Sequence, residues 1–528
     1  MRGGIYMDER QRDIENIGVL SGLDIKLRRY TLECKMEIFR KISHMIDKRL
    51  GEKNFIQKTF NHAVNERYYN SLRQDVHLFE LEYISNRATA ILEWEGTMKR
   101  TFSSREFANI INIYKKYCPP FVHIRDSAQD DFMLDLFILR TAHQQFHFQW
   151  HPLIDLYRYN YLYNYESPEF EVKNKFKELF GFSFNEYVSF VTGLFLLSKN
   201  TTDHSLTVEQ IVRELGKGKT FTSHKVLEML NMLSMDRKTA IAKYHELKTT
   251  DDRMIIYSYN PFTMKPLLKE GNKVYLPIPQ LLFQAITLGF YHMLCFNYKQ
   301  NFRSDFGKYA YEDYIYHVLS WQSSKYEIIR EFEYSIGNDK FASPDFMLVK
   351  GNEVVLVEIK ATAPRIQLKE ADIETYHDEL KKAYCVAVVQ CHKKEKHIRD
   401  QHIKHEKLPT EISRFFYLVV TLEEFYFLNS ERLRNQVKHY SEEQGHPLSD
   451  NQKYHTIGTV TLEQIIETDE RDLFEYLRDR EADEKAYNDI SWTTINQTNN
   501  DSIVRAIKYW EKEVNHLSED LFGVSVTS

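Results

Sequence analysis

Through residues 1 to about 200, apolar residues recur at helical spacing with few Gly or Pro breaks. This predicts a mostly helical region rich in Tyr, Phe and charge. Between residues 205 and 245 the pattern tightens. Thr207 and Gln210 stand three apart, as in a capping box, ahead of a helix running through Leu215. Gly216-Lys217-Gly218-Lys219 breaks that helix, and a second amphipathic helix follows from about Ser223 to Leu233. Two short helices about a Gly-bearing turn suit a helix-turn-helix or winged-helix module, although many helical bundles carry the same pattern and DNA reading by this unit is the minority expectation. From Tyr309 the period changes. A helix over 307–319 presents Tyr311, Tyr314, Ile315, Val318 and Leu319 on one face, and strands are predicted over 326–334, 341–349 and 354–361. Turns at Ile336-Gly337-Asn338-Asp339 and Lys350-Gly351-Asn352 separate them. A helix over about 367–383 and a strand over 384–389 complete an α-β-β-β-α-β order, and the run 415–420 could extend the sheet. Val354-Val355-Leu356-Val357 is apolar on both faces, the mark of a central strand. The chain is thus expected to divide into a helical region (1–200), a helical and winged-helix-like linker domain (201–300), an α/β core (301–425) and a mixed or helical extension (426–528).

The α/β region carries the chemistry. Asp345 follows Pro344 within the second strand, and the turn at 350–352 brings the third strand back beside it. Glu358 and Lys360 are two apart on that third strand and share a face. Two carboxylates and an ammonium then meet at one end of a buried sheet, where charge is costly without a partner. Mg²⁺ answers that need, because it favours carboxylate oxygens together with water. A metal held by Asp345 and Glu358, with the Ile359 backbone carbonyl completing its ligands, could bind a phosphate and lower the pKa of a water. Lys360 could orient that water or offset charge on the phosphate. Glu312, on the preceding helix, is a further metal candidate.

These residues resemble the PD-(D/E)XK nuclease superfamily, the restriction-endonuclease-like fold. Pro344-Asp345 and Glu358-Ile359-Lys360 stand where that signature has them, with twelve residues between the acids. The α-β-β-β-α-β order is similar, and Glu312 matches the acidic residue that members often add from the first helix. The resemblance covers about residues 305 to 420. It implies a Mg²⁺-dependent deoxyribonuclease, with Mn²⁺ able to substitute. Asp345, Glu358 and Lys360 would be catalytic, and Glu312, Asp345, Glu358 and Ile359 would hold the metal. A long helical accessory region on such a core resembles restriction or anti-phage defence effectors; a repair or transposition nuclease is the alternative within the class. Outside it stands a nucleic-acid-binding or scaffold protein with an idle nuclease core. The partners expected are DNA, a second copy of the chain, since one site cuts one strand at a time, and a protein docked on the N-terminal region.

Composition narrows this picture. The net charge is -6, so DNA must be held by a local basic face. Residues 390–407 supply Lys393, Lys394, Lys396 and Arg399 beside the core, and these are the expected DNA contacts. Five Cys without a CxxC pair read as reduced thiols. The N-terminus has no signal-peptide core. The stretch 281–296, interrupted by Gln284 and His292, reads as a buried helix and not a membrane span. A cytoplasmic protein is expected. His143, His147 and His151 recur every four residues but have no acidic partner within the stripe, so a packed helix face is preferred to a zinc site. The alternating Tyr157, Tyr159, Tyr161, Tyr163 and Tyr165 could stack on single-stranded bases; a core stripe of Tyr157, Tyr161 and Tyr165 is preferred. Gly218-Lys219-Thr220 lacks the earlier Gly of a phosphate-binding loop, since Arg213 stands there, which excludes an NTPase site.

Overall fold

The computed structural model describes residues 9–47, most of 72–117, parts of 141–148, 152–200, 205–216, 221–247, most of 255–298, 301–363, 380–425, 428–449, 451–467 and 471–488. The His143, His147 and His151 stripe, the Gly218-Lys219-Thr220 segment and nearly all of the helix expected over 367–383 lie outside them. The chain is mixed α/β and forms two compact units. One comprises the described parts of Met1–Pro152 and Lys177–Met293; the other comprises those of Leu153–Phe176 and Leu294–Tyr509. This division cuts across the four segments drawn from the sequence.

In the first unit, helices Leu32–Ile46, Leu78–Ala90 and Ser104–Tyr114 bury a core that includes Ile38, Phe39, Ile84 and Phe107. The Thr207 side chain caps helix Val208–Leu215, and Gln210 reaches back to the Thr207 N–H at 2.8 Å. Helix Ser223–Leu233 follows, capped by Thr222. A hairpin of Leu267–Glu270 and Lys273–Tyr275, turning at Gly271 with φ +59, joins Leu206–Thr207 and Ser234–Asp236 in a four-stranded sheet.

The second unit is built on a five-stranded sheet. Its strands in chain order are β1 (Glu327–Arg330), β4 (Phe346–Lys350), β5 (Glu353–Lys360), β6 (Arg414–Thr421) and β7 (Tyr454–Gly458). A separate hairpin, β2 (Glu333–Ile336) and β3 (Asp339–Ala342), stands between β1 and β4. The sheet order is β7-β6-β5-β4-β1, antiparallel for β1/β4 and β4/β5, parallel for β5/β6 and β6/β7. Val354, Val355, Leu356 and Val357 of β5 are fully buried, as a strand covered on both faces should be. Each such side chain contributes roughly 1.5–3 kcal/mol of hydrophobic stabilisation. Helices α1 (Pro152–Tyr163, within this unit from Leu153), α2 (Glu312–Ser320), α3 (Val386–Arg399) and α4 (Thr459–Glu467) belong to the same unit.

Several expectations are corrected. Residues 384–389 are not a strand: a π-helical turn, Lys381–Cys385, leads directly into α3. The β-branched run looked like a strand, but Tyr384, Val388, Cys391 and Ile398 recur at helical spacing and are buried; Cys391 Sγ lies 3.8 Å from the Leu356 carbonyl. The strand after this helix is β6. The long strands expected over 326–334 and 341–349 are each broken. Ser343 Oγ accepts from Phe332 N–H, and Pro344, which has no N–H, separates β3 from β4. The stretch 281–296 forms two helices, Leu281–Ile286 and Leu288–Asn297, broken at Thr287. Among the described residues, no single helix is long and apolar enough to cross a membrane. In α1, Tyr159 and Tyr163 are fully buried, whereas Tyr157 and Tyr161, and Tyr165 just beyond the helix, are half-buried.

Candidate active site

The register of β4 and β5 pairs Phe346 with Val357. Continuing that antiparallel pairing by one residue sets Asp345 opposite Glu358, and directly opposed residues share a sheet face. Two residues along β5, Lys360 returns to that face. Asp345, Glu358 and Lys360 accordingly line one cleft of ≈ 790 Å³, together with Glu312 from the start of α2. The Ile359 backbone N–H donates to Asp345 Oδ2 at 2.5 Å, tying the two strand ends together. Lys360 Nζ lies 3.3 Å from Glu358 Oε2 and donates to Gln390 Oε1 at 2.9 Å.

The cleft holds further residues: Glu331, Gln390, Arg303 and Lys308 are not singled out by the sequence, and Lys394 is expected only as a DNA contact. Glu331 sits at the break between β1 and β2, where its N–H donates to the Asp345 carbonyl at 3.0 Å. Gln390 and Lys394 are four apart on α3 and both reach the cleft. Their spacing was readable, but reading 384–389 as a strand concealed it. Arg303 and Lys308, from the segment leading into α2, complete the cationic lining. Of the four expected DNA contacts Lys394 alone lines the cleft. Arg399 is engaged with Glu395 at 2.6 Å and lies over the Phe415 ring.

Electrostatics set this cleft apart. Four carboxylates (Glu312, Glu331, Asp345 and Glu358) share it, and each is shifted toward its protonated form. Burial, then Asp345, pushes Glu358 up to about 8. Burial, then Asp345 and Glu331, pushes Glu312 up to about 8. Burial also raises Asp345, against the Ile359 N–H and the charge of Lys360, and burial with Asp345 raises Glu331. Lys394 is lowered by burial, although Glu358 and Glu331 oppose that shift. Burial disfavours the charged form of each carboxylate, and a setting of this kind is one in which a divalent cation would be accommodated.

No protein-family model matches the chain, and no curated protein does.

The donor set suits a hard cation: carboxylate oxygens and a backbone carbonyl, with no Cys or His ligand required. Among the described residues, no three His, Cys, Asp or Glu side chains stand close enough together to hold a metal as they are. Asp345 accepts from the Ile359 N–H, and Glu358 Oε2 lies 3.3 Å from Lys360 Nζ.

Proposed function

We propose that this protein is a metal-dependent nuclease that hydrolyses phosphodiester bonds in DNA, with its site in the cleft of the second unit. The observation that carries this reading is the gathering of Asp345, Glu358, Lys360 and Glu312 in one cleft whose buried carboxylates are shifted toward protonation despite the cations beside them. The sequence α2, β1, β4, β5, α3, β6, with the hairpin β2–β3 inserted, supports a restriction-endonuclease-like core. In that arrangement β4 and β5 are antiparallel and β5 and β6 parallel.

Asp345 and Glu358, with Glu312 beside them and the Ile359 carbonyl, are the residues that would hold Mg²⁺ or Mn²⁺. When bound, the cation supplies positive charge to a phosphoryl oxygen and acidifies water. This chain's own residues do the rest. Lys360 stands beside Glu358 and offers its ammonium to an attacking water or to charge gathering on the phosphate. Gln390 accepts from Lys360 and so fixes the direction of that ammonium. The Ile359 N–H orients Asp345. Helix α2 holds Glu312 in place through its neighbours: Tyr161 donates to Asp313 Oδ2 at 2.7 Å, and the Tyr157 hydroxyl lies 3.0 Å from His317 Nε2.

The test is incubation of the purified protein with supercoiled plasmid and Mg²⁺, then with EDTA, alongside the Asp345→Ala variant. Cleavage that requires the metal and Asp345 supports the reading. Full cleavage by Asp345→Ala, or none by the wild type on duplex or single-stranded DNA, overturns it.

A further inference from the structure

The cleft holds four cations, of which Lys360 lies beside Glu358, and Lys394 stands on α3, where Glu358 and Glu331 favour its charge against burial. The other two, Arg303 and Lys308, belong to the segment ahead of α2. We infer that Arg303 and Lys308 form a phosphate-binding wall that holds the DNA backbone beside the reacting phosphodiester. The inference rests on the nuclease reading of the same cleft and extends it from the reaction to the substrate.

Helix geometry puts the two cations on one wall. Arg303 lies in the short helix Phe302–Asp305 and Lys308 in the π-helical turn Phe306–Tyr311 that follows without a break. In an uninterrupted α-helix, a residue five positions on is rotated about 140° away. The wider π turn, bonded i to i+5, reduces that divergence, and such turns occur often at functional sites. Arg303, Ser304, Gly307, Lys308 and Glu312 all line the cleft as a result.

Packing then fixes the wall against the site. A Cβ on Gly307 would lie 3.0 Å from the Ala361 Cβ, so this segment sits directly on the strand end one residue beyond Lys360. Arg303 Nη2 lies 3.4 Å from the Ala363 carbonyl, close to the same strand end.

Charge supplies the reason for the wall. Four carboxylates repel a polyanion, and a cation bound among them leaves little attraction for the phosphates on either side of the reacting one. The charge of Lys308 is felt by both Glu312 and Glu331, and its side chain is exposed. A guanidinium and an ammonium are the two side chains best suited to phosphate oxygens. Contacts of this kind position the strand and carry no base information.

The test uses Arg303→Gln, Lys308→Gln and the double variant in full-length protein. Affinity for a fluorescein-labelled DNA duplex is titrated against salt in a Glu358→Gln background, which prevents turnover. Each substitution should weaken binding about tenfold on unrelated sequences alike, as loss of one charge-assisted hydrogen bond does. Each should also flatten the log–log salt slope by roughly 0.9. In the otherwise wild-type enzyme the loss should fall on KM more than on kcat, and Lys308→Arg should restore binding. Lys308 is exposed, so its variant tests the wall without endangering the fold. Unchanged affinity and slope in the double variant, with the wild type still cleaving, would overturn the wall and leave the nuclease reading standing. A wild type that neither binds nor cleaves DNA would overturn both.

Discussion

Helix α2 separates two clusters of buried charge, and the contrast between them is instructive. On one side Arg158 is 1 % exposed, yet its guanidinium meets both Glu463 carboxylate oxygens at 2.7 Å and Asp155 at 2.9 Å. Tyr314 adds a hydrogen bond to Glu463 at 2.6 Å, and Tyr311 pairs with Thr459 at 2.7 Å. There a single guanidinium meets both carboxylates directly. On the other side Glu312, Glu331, Asp345 and Glu358 share one cleft, where burial first and then neighbouring carboxylates raise Glu312 and Glu358. A cluster of direct ion pairs holds the fold together, whereas carboxylates crowded together against their own burial mark a candidate functional site. Burial of charge alone therefore does not mark a site; the arrangement of its neighbours bears on it as well.

The contrast is broken most decisively by neutralising its two sides in turn. Glu358→Gln or Asp345→Asn should lower cleavage by roughly 10³-fold, on the scale of removing a group that stabilises transition-state charge. The same change should leave the metal-free melting temperature equal or higher, because a repulsion is removed. Turnover and thermal melts measured together check this, and a clear loss of stability would show the carboxylates to be structural. Arg158→Met should do the opposite. It leaves Glu463 buried without its partner, which costs about 3–5 kcal/mol. Arg158→Met with Glu463→Leu should recover much of that, as read by denaturant titration.

A pH series sharpens the comparison. Glu312 and Glu358 are raised to about 8 from an ordinary value of 4.5. Between those values the folded state binds more protons than the unfolded state, so stability falls as pH rises. Metal-free protein should thus lose stability from pH 4.5 to 8, and less steeply in Glu312→Gln. Saturating Mg²⁺ should flatten the slope, because the cation takes the place of the protons. A denaturant midpoint unchanged across that range would contradict the crowding of carboxylates.

Smaller effects follow from position. Lys394→Gln should weaken DNA binding several-fold, whereas Lys393→Gln with Lys396→Gln should change it less, since Lys394 lines the cleft. Equal losses in a binding titration would return the whole 390–407 segment to the interface. Gly307→Ala should have the smallest effect. The Ala361 Cβ cannot swing aside, so the π-helical turn must shift by a few tenths of an ångström, at about 1 kcal/mol. A few-fold drop in cleavage with an intact fold is the expected result.

Local signals in the sequence were strong where short-range physics decides. The capping box at Thr207 and Gln210 depends on residues three apart, and the turns at Gly337 and Gly351 rest on positive φ that glycine adopts without strain. Asp345, Glu358 and Lys360 were legible because a hairpin and a period of two put them on one face. Helix α3 was misread because β-branched residues favour strands locally, while packing of Val388 and Cys391 into the core decides for a helix.

By itself the sequence determined the alternation of elements, the paired strands and the acid-and-lysine signature on them, since these follow from periodicity and turn chemistry. The tertiary structure alone decided what else joins the cleft. Glu331 comes from a break between strands, Gln390 and Lys394 from a helix about thirty residues beyond β5, and Arg303 and Lys308 from a π-helical turn. No local pattern ties these residues together. They meet because the sheet and its helices must bury their apolar faces, and that packing sets which charges end up as neighbours.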